Sequence, residues 1–425
     1  MAPRLIDYPL APPARLAYAV RTVGVGIAAG GSLGFLLALA ASITVNEAFI
    51  DLWYQLDGDP FSRAFVPLLF VVLLIGLGIY AVADSFYNWQ LGRQLATHAE
   101  STPEDVPAAW QRVFLTRTNP LAGVRATLWT ICVAAGLFSI IIAAILGDTS
   151  DNEFSFVLSM LLSSLATTAA AATIAIVASR WAANRWPAIA VPAELVWTDT
   201  AVSAAAEAEK ARRPRRQEQI DLGSSYRALR ALVRHGTRVG LAVLLTGAAI
   251  GFLGVAIRQP CRRCDQRSYE SAGEALIDNL ALAGAGLALL GAVVLIAASL
   301  ASLASSLLAT RALRHLLDPS TPAGVFPPKA LLLERLTGMP LSEKTAIIVS
   351  GVGSTVAACA IALSAVAARV PGAFTDGLLL GGLGATAVAG VIAFAGVGAT
   401  LRMRRLIRGR WAPGDVSSPP AKARR

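Results

Sequence analysis

Eight apolar runs of roughly 20 residues limit what this chain can fold into, because a run of that length spans a bilayer's hydrocarbon core as a helix. They lie at 22–45, 65–83, 126–146, 155–179, 239–257, about 276–309, 346–368 and 378–400. A spanning backbone must satisfy its own polar groups, so an all-α polytopic membrane protein is expected. Composition agrees, with 55% of 425 residues hydrophobic and 15% charged. The sixth run exceeds what the core requires, which predicts tilt or extension beyond it.

The formal charge of +10 would suggest nucleic acid in a soluble protein. Here the basic residues sit between the apolar runs, where orientation in the bilayer explains them, and no nucleic-acid partner is needed. With both termini on one side, 31 of the 37 basic residues share that side and 6 face the other. The asymmetry predicts cytoplasmic N and C termini. Abundant arginine and alanine with scarce lysine fit a GC-rich bacterial genome, hence a bacterial plasma membrane.

The two halves of the chain share a layout. Arg21, Gly30 and Gly34-Phe35-Leu36 recur 217 positions later as Arg238, Gly247 and Gly251-Phe252-Leu253. Ser101-Thr102-Pro103 recurs as Ser320-Thr321-Pro322, Pro120-Leu121 as Pro340-Leu341, and Arg185-Trp186 as Arg410-Trp411. The expected organisation is a four-span repeat at 1–187, a basic cytoplasmic linker at 188–223, a second repeat at 224–411 and a basic tail at 412–425. Four spans per unit make the repeats parallel, related by an axis along the membrane normal. Three arginines before an apolar core ending in Ala38-Leu39-Ala40 also resemble a signal peptide. Its mid-chain counterpart argues that the first run is retained.

Gly26, Gly30 and Gly34 line one helix face at spacing four, and Gly247 and Gly251 form the matching stripe; both predict close helix packing. The second span is expected to continue as helix through 84–100, where Gly92 is the lone breaker. Thr102-Pro103-Glu104-Asp105 reads as a helix start, with Val106, Trp110, Val113 and Phe114 on one face. Thr102, Pro103, Trp110, Thr321 and Pro322 are thereby candidate coupling or gating elements.

In the linker, Lys210, Arg212, Arg213, Arg215 and Arg216 surround Pro214 in a stretch read as flexible. Beyond it, Tyr226, Leu229 and Val233 share a helix face beside a stripe of Arg227, Arg230 and Arg234. This pattern suits a helix lying on the anionic inner leaflet, its arginines on lipid headgroups. An acidic protein partner could dock on the same basic surface.

Chemical motifs are few. Cys261 and Cys264, on the expected outer side, read as a loop-tightening disulfide or two idle thiols, since Cys132 and Cys359 fall within spans and offer no relay. One CxxC without an outer histidine makes no zinc site, and no cofactor or metal is expected. Seven acids in the first half's outer loops could gather cations, though solvated loop charge is the plainer account. Ser163, Ser164, Thr167, Thr168, Ser350, Ser354 and Thr355 could line a polar path or serve helix packing. There is no phosphate-binding loop of Walker type, no HExxH, and no serine with a histidine or lysine at a recognisable spacing, so no enzyme is expected. The leading expectation is a transporter or permease subunit with a path between the repeats. The alternative is a non-transporting scaffold or sensor docking a partner on its basic cytoplasmic face, and the third is thiol redox through Cys261 and Cys264.

Overall fold

The structure, a computed structural model, describes residues 4–48, 58–112, 120–146, 151–197, 201–205, 207, 218–219, 223–257, 271–318, 320–321, 325–328, 331–332, 335–336, 339–366 and 372–411. In chain order its elements are β1 (Arg4–Ile6), α1 (Pro12–Ala48), α2 (Gly58–Ser101), β2 (Asp105–Pro107), α3 (Ala109–Arg112), α4 (Ala122–Leu146), α5 (Asp151–Arg185), α6 (Pro187–Val196), β3 (Glu218–Gln219), α7 (Gly223–Ile257), α8 (Ser271–Leu316), β4 (Val325–Phe326), α9 (Leu341–Val366) and α10 (Gly372–Trp411).

Among the described residues six helical stretches are long and apolar enough to cross a membrane: 12–38, 65–101, 161–191, 279–316, 341–364 and 372–411. Helices α4 and α7 stand where the sequence predicts the other two crossings. Large apolar side chains point outward along these helices, among them Leu162, Val177, Val293, Leu300, Leu380 and Val391. In water such surfaces would be a liability; against lipid they are the expected exterior.

The length of α2, 44 residues, corresponds to about 66 Å at 1.5 Å per residue, twice the hydrocarbon core. The helix passes unbroken from its apolar part through 84–101. Gly92, the one breaker there, lies against the ring of Trp186: a Cβ at that position would come within 2.7 Å of Trp186 Cζ3.

The chain forms two compact units. The first gathers Met1–Arg21, Leu77–Arg215 and Val397–Arg425; the second gathers Thr22–Gly76 and Arg216–Gly396. One boundary falls inside the linker, between Arg215 and Arg216, and the others cut α1 after Arg21, α2 after Gly76 and α10 after Gly396.

In the second unit, helices touch at backbone level at several glycines, where no side chain intervenes. A Cβ on Gly31 of α1 would lie 2.6 Å from Leu73 N of α2, and one on Gly30 would lie 2.7 Å from Gly351 Cα of α9. In the α7–α8 hairpin, a Cβ on Gly247 would lie 2.7 Å from Gly284 O, and one on Gly284 would lie 2.6 Å from Gly251 Cα. Leu244, Ala285, Ala288 and Ala292 form the buried core of this hairpin, with Leu33, Leu36 and Leu37 of α1 packed on it.

In the first unit α4 and α5 pack together and join through Ser139 and Ser164, whose hydroxyl oxygens are 2.7 Å apart. Its core surrounds the extended N-terminal segment: Leu5, Tyr8, Leu10, Ala14 and Ala17 bury against Tyr87, Leu91, Leu95 and Ala99 of α2, with Val106, Trp197, Val397 and Leu401.

Among the described residues small parallel ladders occur at two places. β1 pairs with β2, Leu5 opposite Val106, and β3 pairs with β4, Glu218 opposite Val325. Beside each, a threonine bonds back to a histidine carbonyl: Thr102 Oγ1 to His98 O at 3.2 Å, and Thr321 Oγ1 to His315 O at 2.9 Å.

These contacts correct the reading of Thr102-Pro103-Glu104-Asp105 as a helix start. Thr102 closes α2 instead, its N–H also returning to His98 O at 2.8 Å, and residues 105–107 are drawn into pairing with β1. Val106 is fully buried in that strand, Trp110 falls in the single turn α3, and Val113, Phe114 and Pro322 lie outside the described residues. The in-plane linker helix is corrected as well. Residues 223–257 form one continuous helix, so a segment that runs on into the span does not lie flat beside it. Tyr226 is its buried contact, and Arg227, Arg230 and Arg234 are exposed. The basic stretch around Pro214 lies outside the described residues; upstream of it 201–205 is helical, and Ala205 is fully buried in the first unit's core.

Candidate functional site

The most highly built polar structure among the described residues surrounds residues 4–11 in the first unit. This segment is extended and ends at Pro12, whose fixed φ suits the first turn of α1. An extended chain away from water must place every carbonyl. Here five successive carbonyls accept hydrogen bonds from five different residues. Ile6 O accepts from Ala108 N at 2.9 Å, Asp7 O from Arg405 Nε at 3.2 Å, and Tyr8 O from Gln111 Nε2 at 3.0 Å. Pro9 O accepts from Gln94 Nε2, and Leu10 O from Arg15 Nε at 2.8 Å.

Two glutamines act as amide brackets. Gln111, fully buried, accepts Tyr8 N–H at 3.0 Å while donating to the carbonyl of the same residue. Gln94 on α2 accepts Ala11 N–H at 3.0 Å while donating to Pro9. Each primary amide offers a donor and an acceptor side by side, as a neighbouring strand would.

Side-chain recognition accompanies this main-chain grip. The Asp7 carboxylate, fully enclosed, accepts from Arg408 Nε of α10 at 2.8 Å. The Tyr8 ring stacks on His98 with centroids 4.2 Å apart and tilts against Trp197 at 6.2 Å. Its hydroxyl donates to Asp105 O at 2.8 Å and lies 3.2 Å from Thr102 Oγ1. Trp197 Nε1 donates to Pro103 O at 3.2 Å, fixing one wall. Burial pushes the phenol's pKa above its ordinary value; the Thr102 bond pulls it back, and the negative charges of Asp105 and Glu104 add to the rise.

A second polar cluster sits between α1, α2 and α4 in the same unit. Arg21 Nη1 is 3.2 Å from Asp84 Oδ1, and its guanidinium lies over the rings of Tyr18 and Tyr87 at 5.0 and 5.5 Å. Asn88 Nδ2 donates to Asp84 Oδ2 at 3.0 Å. The second half has no matching carboxylate: Ala301 stands 217 positions after Asp84, and Arg238 is exposed.

In the second unit Lys344 Nζ donates to Ser306 Oγ at 2.8 Å, a serine–lysine pair that the 38-residue spacing concealed. Ser306 is 1% exposed, its carbonyl accepts from Arg335, and its hydroxyl joins α8 to α9 through Lys344.

Several of the hydroxyls read as a polar path bond back within their own helices, and Ser164 also meets Ser139 of α4. Thr167 and Thr168 donate to Ser163 O and Ser164 O, Ser164 to Leu161 O, Ser350 to Ala346 O, and Ser354 and Thr355 both to Gly351 O. Cys132 and Cys359 are free thiols; Cys261 and Cys264 lie outside the described residues. No three His, Cys, Asp or Glu side chains gather to hold a metal among the described residues.

Sequence reasoning missed Asp7, Tyr8, Gln94, Gln111, Arg405 and Arg408, which the fold brings together from four regions of the chain. The available signal was Asp7 itself, the only acid among the first 46 residues. Together the helices and their outward apolar surfaces define an all-α membrane protein. No known protein family matches the chain, and no curated protein or solved structure matches it.

Proposed function

We propose that this protein is a membrane-embedded scaffold or sensor that docks a cytoplasmic partner, built as eight spans in two tandem four-span units. Both termini then lie in the cytoplasm of a bacterial plasma membrane, with Arg227, Arg230 and Arg234 among the lipid headgroups. One observation carries the reading: the elaborate polar recognition lies around residues 4–11, while span hydroxyls such as those of Thr168 and Thr355 bond back to their own helices. A protein that moved polar solutes would be expected to turn such groups toward a path.

Native mass spectrometry of the protein gently extracted from its membrane tests this. The scaffold reading expects a soluble protein to leave with the full chain and to be absent from a variant lacking residues 208–217 that melts at the same temperature. A small molecule carried equally by both, with no protein partner, would sink it.

A transporter or permease subunit is the second reading, favoured by the twofold recurrence of a parallel ladder beside a threonine–histidine cap. Repeated units of this kind accompany a pathway in many transporters. Substrate flux into vesicles reconstituted with the purified protein, abolished by Ser350→Leu, would favour it.

A further inference from the structure

We propose that the site around residues 4–11 is a peptide-binding groove, occupied in this structure by the chain's own N-terminal segment and able to take an extended acidic-aromatic segment of a partner protein. The assignment rests on the docking reading and gives the partner a peptide site in addition to the basic linker.

Three features distinguish this groove from ordinary packing of a terminus. Its grip is on the main chain: five consecutive carbonyls and two N–H groups are bonded, four of these contacts through Gln94 and Gln111. Main-chain reading by a strand and its side-chain mimics is how extended peptides are held by proteins that bind many of them. Its selectivity lies in adjacent pockets, a cationic one where Arg408 and Arg405 meet Asp7 and an aromatic one where His98 and Trp197 enclose Tyr8. Buried Leu5 and Leu10 flank them. Finally, the ladder that seats the segment is three residues long and parallel, a weak element by itself, so the segment is held by contacts that a second peptide can reproduce.

The ligand these pockets describe is an extended segment with an aliphatic residue two positions before an aspartate, then tyrosine, proline and leucine. The aspartate carboxylate meets Arg408 while Arg405 holds the carbonyl of the same residue, and a desolvated ion pair of this kind sets selectivity more than affinity. Proline at the next position leaves no N–H unsatisfied and keeps the chain extended.

The probe is a fluorescent peptide of residues 4–11, Arg-Leu-Ile-Asp-Tyr-Pro-Leu-Ala, with a control carrying Asn and Ala in place of Asp and Tyr. Anisotropy titrations use full-length protein in nanodiscs: wild type, a loosened variant Asp7→Ala/Tyr8→Ala, and the loosened variant with Gln111→Leu added. The expected result is at least tenfold tighter binding to the loosened variant than to wild type, where the resident segment competes. The control peptide, and the variant with Gln111→Leu, should each lose that gain.

Equal weak binding to all three proteins would overturn the groove, as would a loosened variant that stays folded yet takes no peptide. A loosened variant that no longer folds, by circular dichroism and melting, would overturn it too, since a site that collapses without its resident segment cannot receive another. Any of these failures leaves the docking reading to its own test, because partner retention on the full chain is measured separately.

Discussion

Gln111 exchanges two hydrogen bonds with the main chain of Tyr8, each 3.0 Å long, across 103 residues of sequence. Because both partners are buried, neither main-chain group can turn to water if the amide is lost. Gln111→Leu should therefore destabilise the first unit by about 2–4 kcal/mol, two unsatisfied groups at roughly 1–2 each. Hydrogen exchange followed by mass spectrometry should show the amides of 4–11 losing protection before the spans do. Unchanged protection there would contradict the bracket.

Asp7 and Arg408 form an ion pair in which neither side chain has appreciable access to solvent. Removing one charge strands the other, at a cost of roughly 3–5 kcal/mol for buried pairs. Asp7→Ala should lower the melting temperature in nanodiscs markedly. The double variant Asp7→Leu/Arg408→Leu should recover part of the loss, and additive losses would argue against a direct pair.

Tyr8 gives a pH signature. Its folded pKa is raised, so the native state holds the phenolic proton more tightly than the unfolded chain does. That contribution is fully present below the unfolded value of about 10 and is lost as pH rises through the folded one. The melting temperature should fall above pH 10, and Tyr8→Phe should flatten this alkaline slope while lowering stability at neutral pH through the lost bonds to Asp105 and Thr102. An identical slope in both proteins would assign the effect elsewhere.

Glycine contacts in the second unit can be separated from helix propensity. A Cβ on Gly30 would meet the backbone of Gly351, whereas one on Gly78 would meet nothing within 4 Å. Gly30→Ala should cost about 1–3 kcal/mol as overpacking, and Gly78→Ala should be neutral or stabilising. Equal melting temperatures would mean that α1 and α9 are not in contact there.

Orientation is open to a direct check. A reporter fused after Arg425 that is active only in the cytoplasm is the expected outcome, and activity only outside would overturn it.

Much of the helical layout was legible because hydropathy and glycine spacing are local signals. The continuation of α2 past Asp84 could be read from the lack of breakers up to Gly92 and beyond. What misled was Thr102-Pro103-Glu104-Asp105: locally it has every mark of a helix start, yet a strand from the far N-terminus claims the residues that follow. The site stayed hidden for the same reason. A glutamine that mimics a strand edge looks like any other glutamine in sequence, and the partners of Asp7 stand about 400 positions away in α10. The Arg21–Asp84 pair was hidden likewise, its two residues standing 63 positions apart on different helices.

The bond between residues 7 and 408 also has a meaning in time. During synthesis Asp7 emerges 401 residues before Arg408, so at 5–20 residues per second roughly 20–80 seconds separate them. Until the end of α10 is made, the Asp7 carboxylate lacks its Arg408 partner. A chain that stops short of α10 would lack this bond, so the ion pair ties the final packing of the first unit to the synthesis of α10.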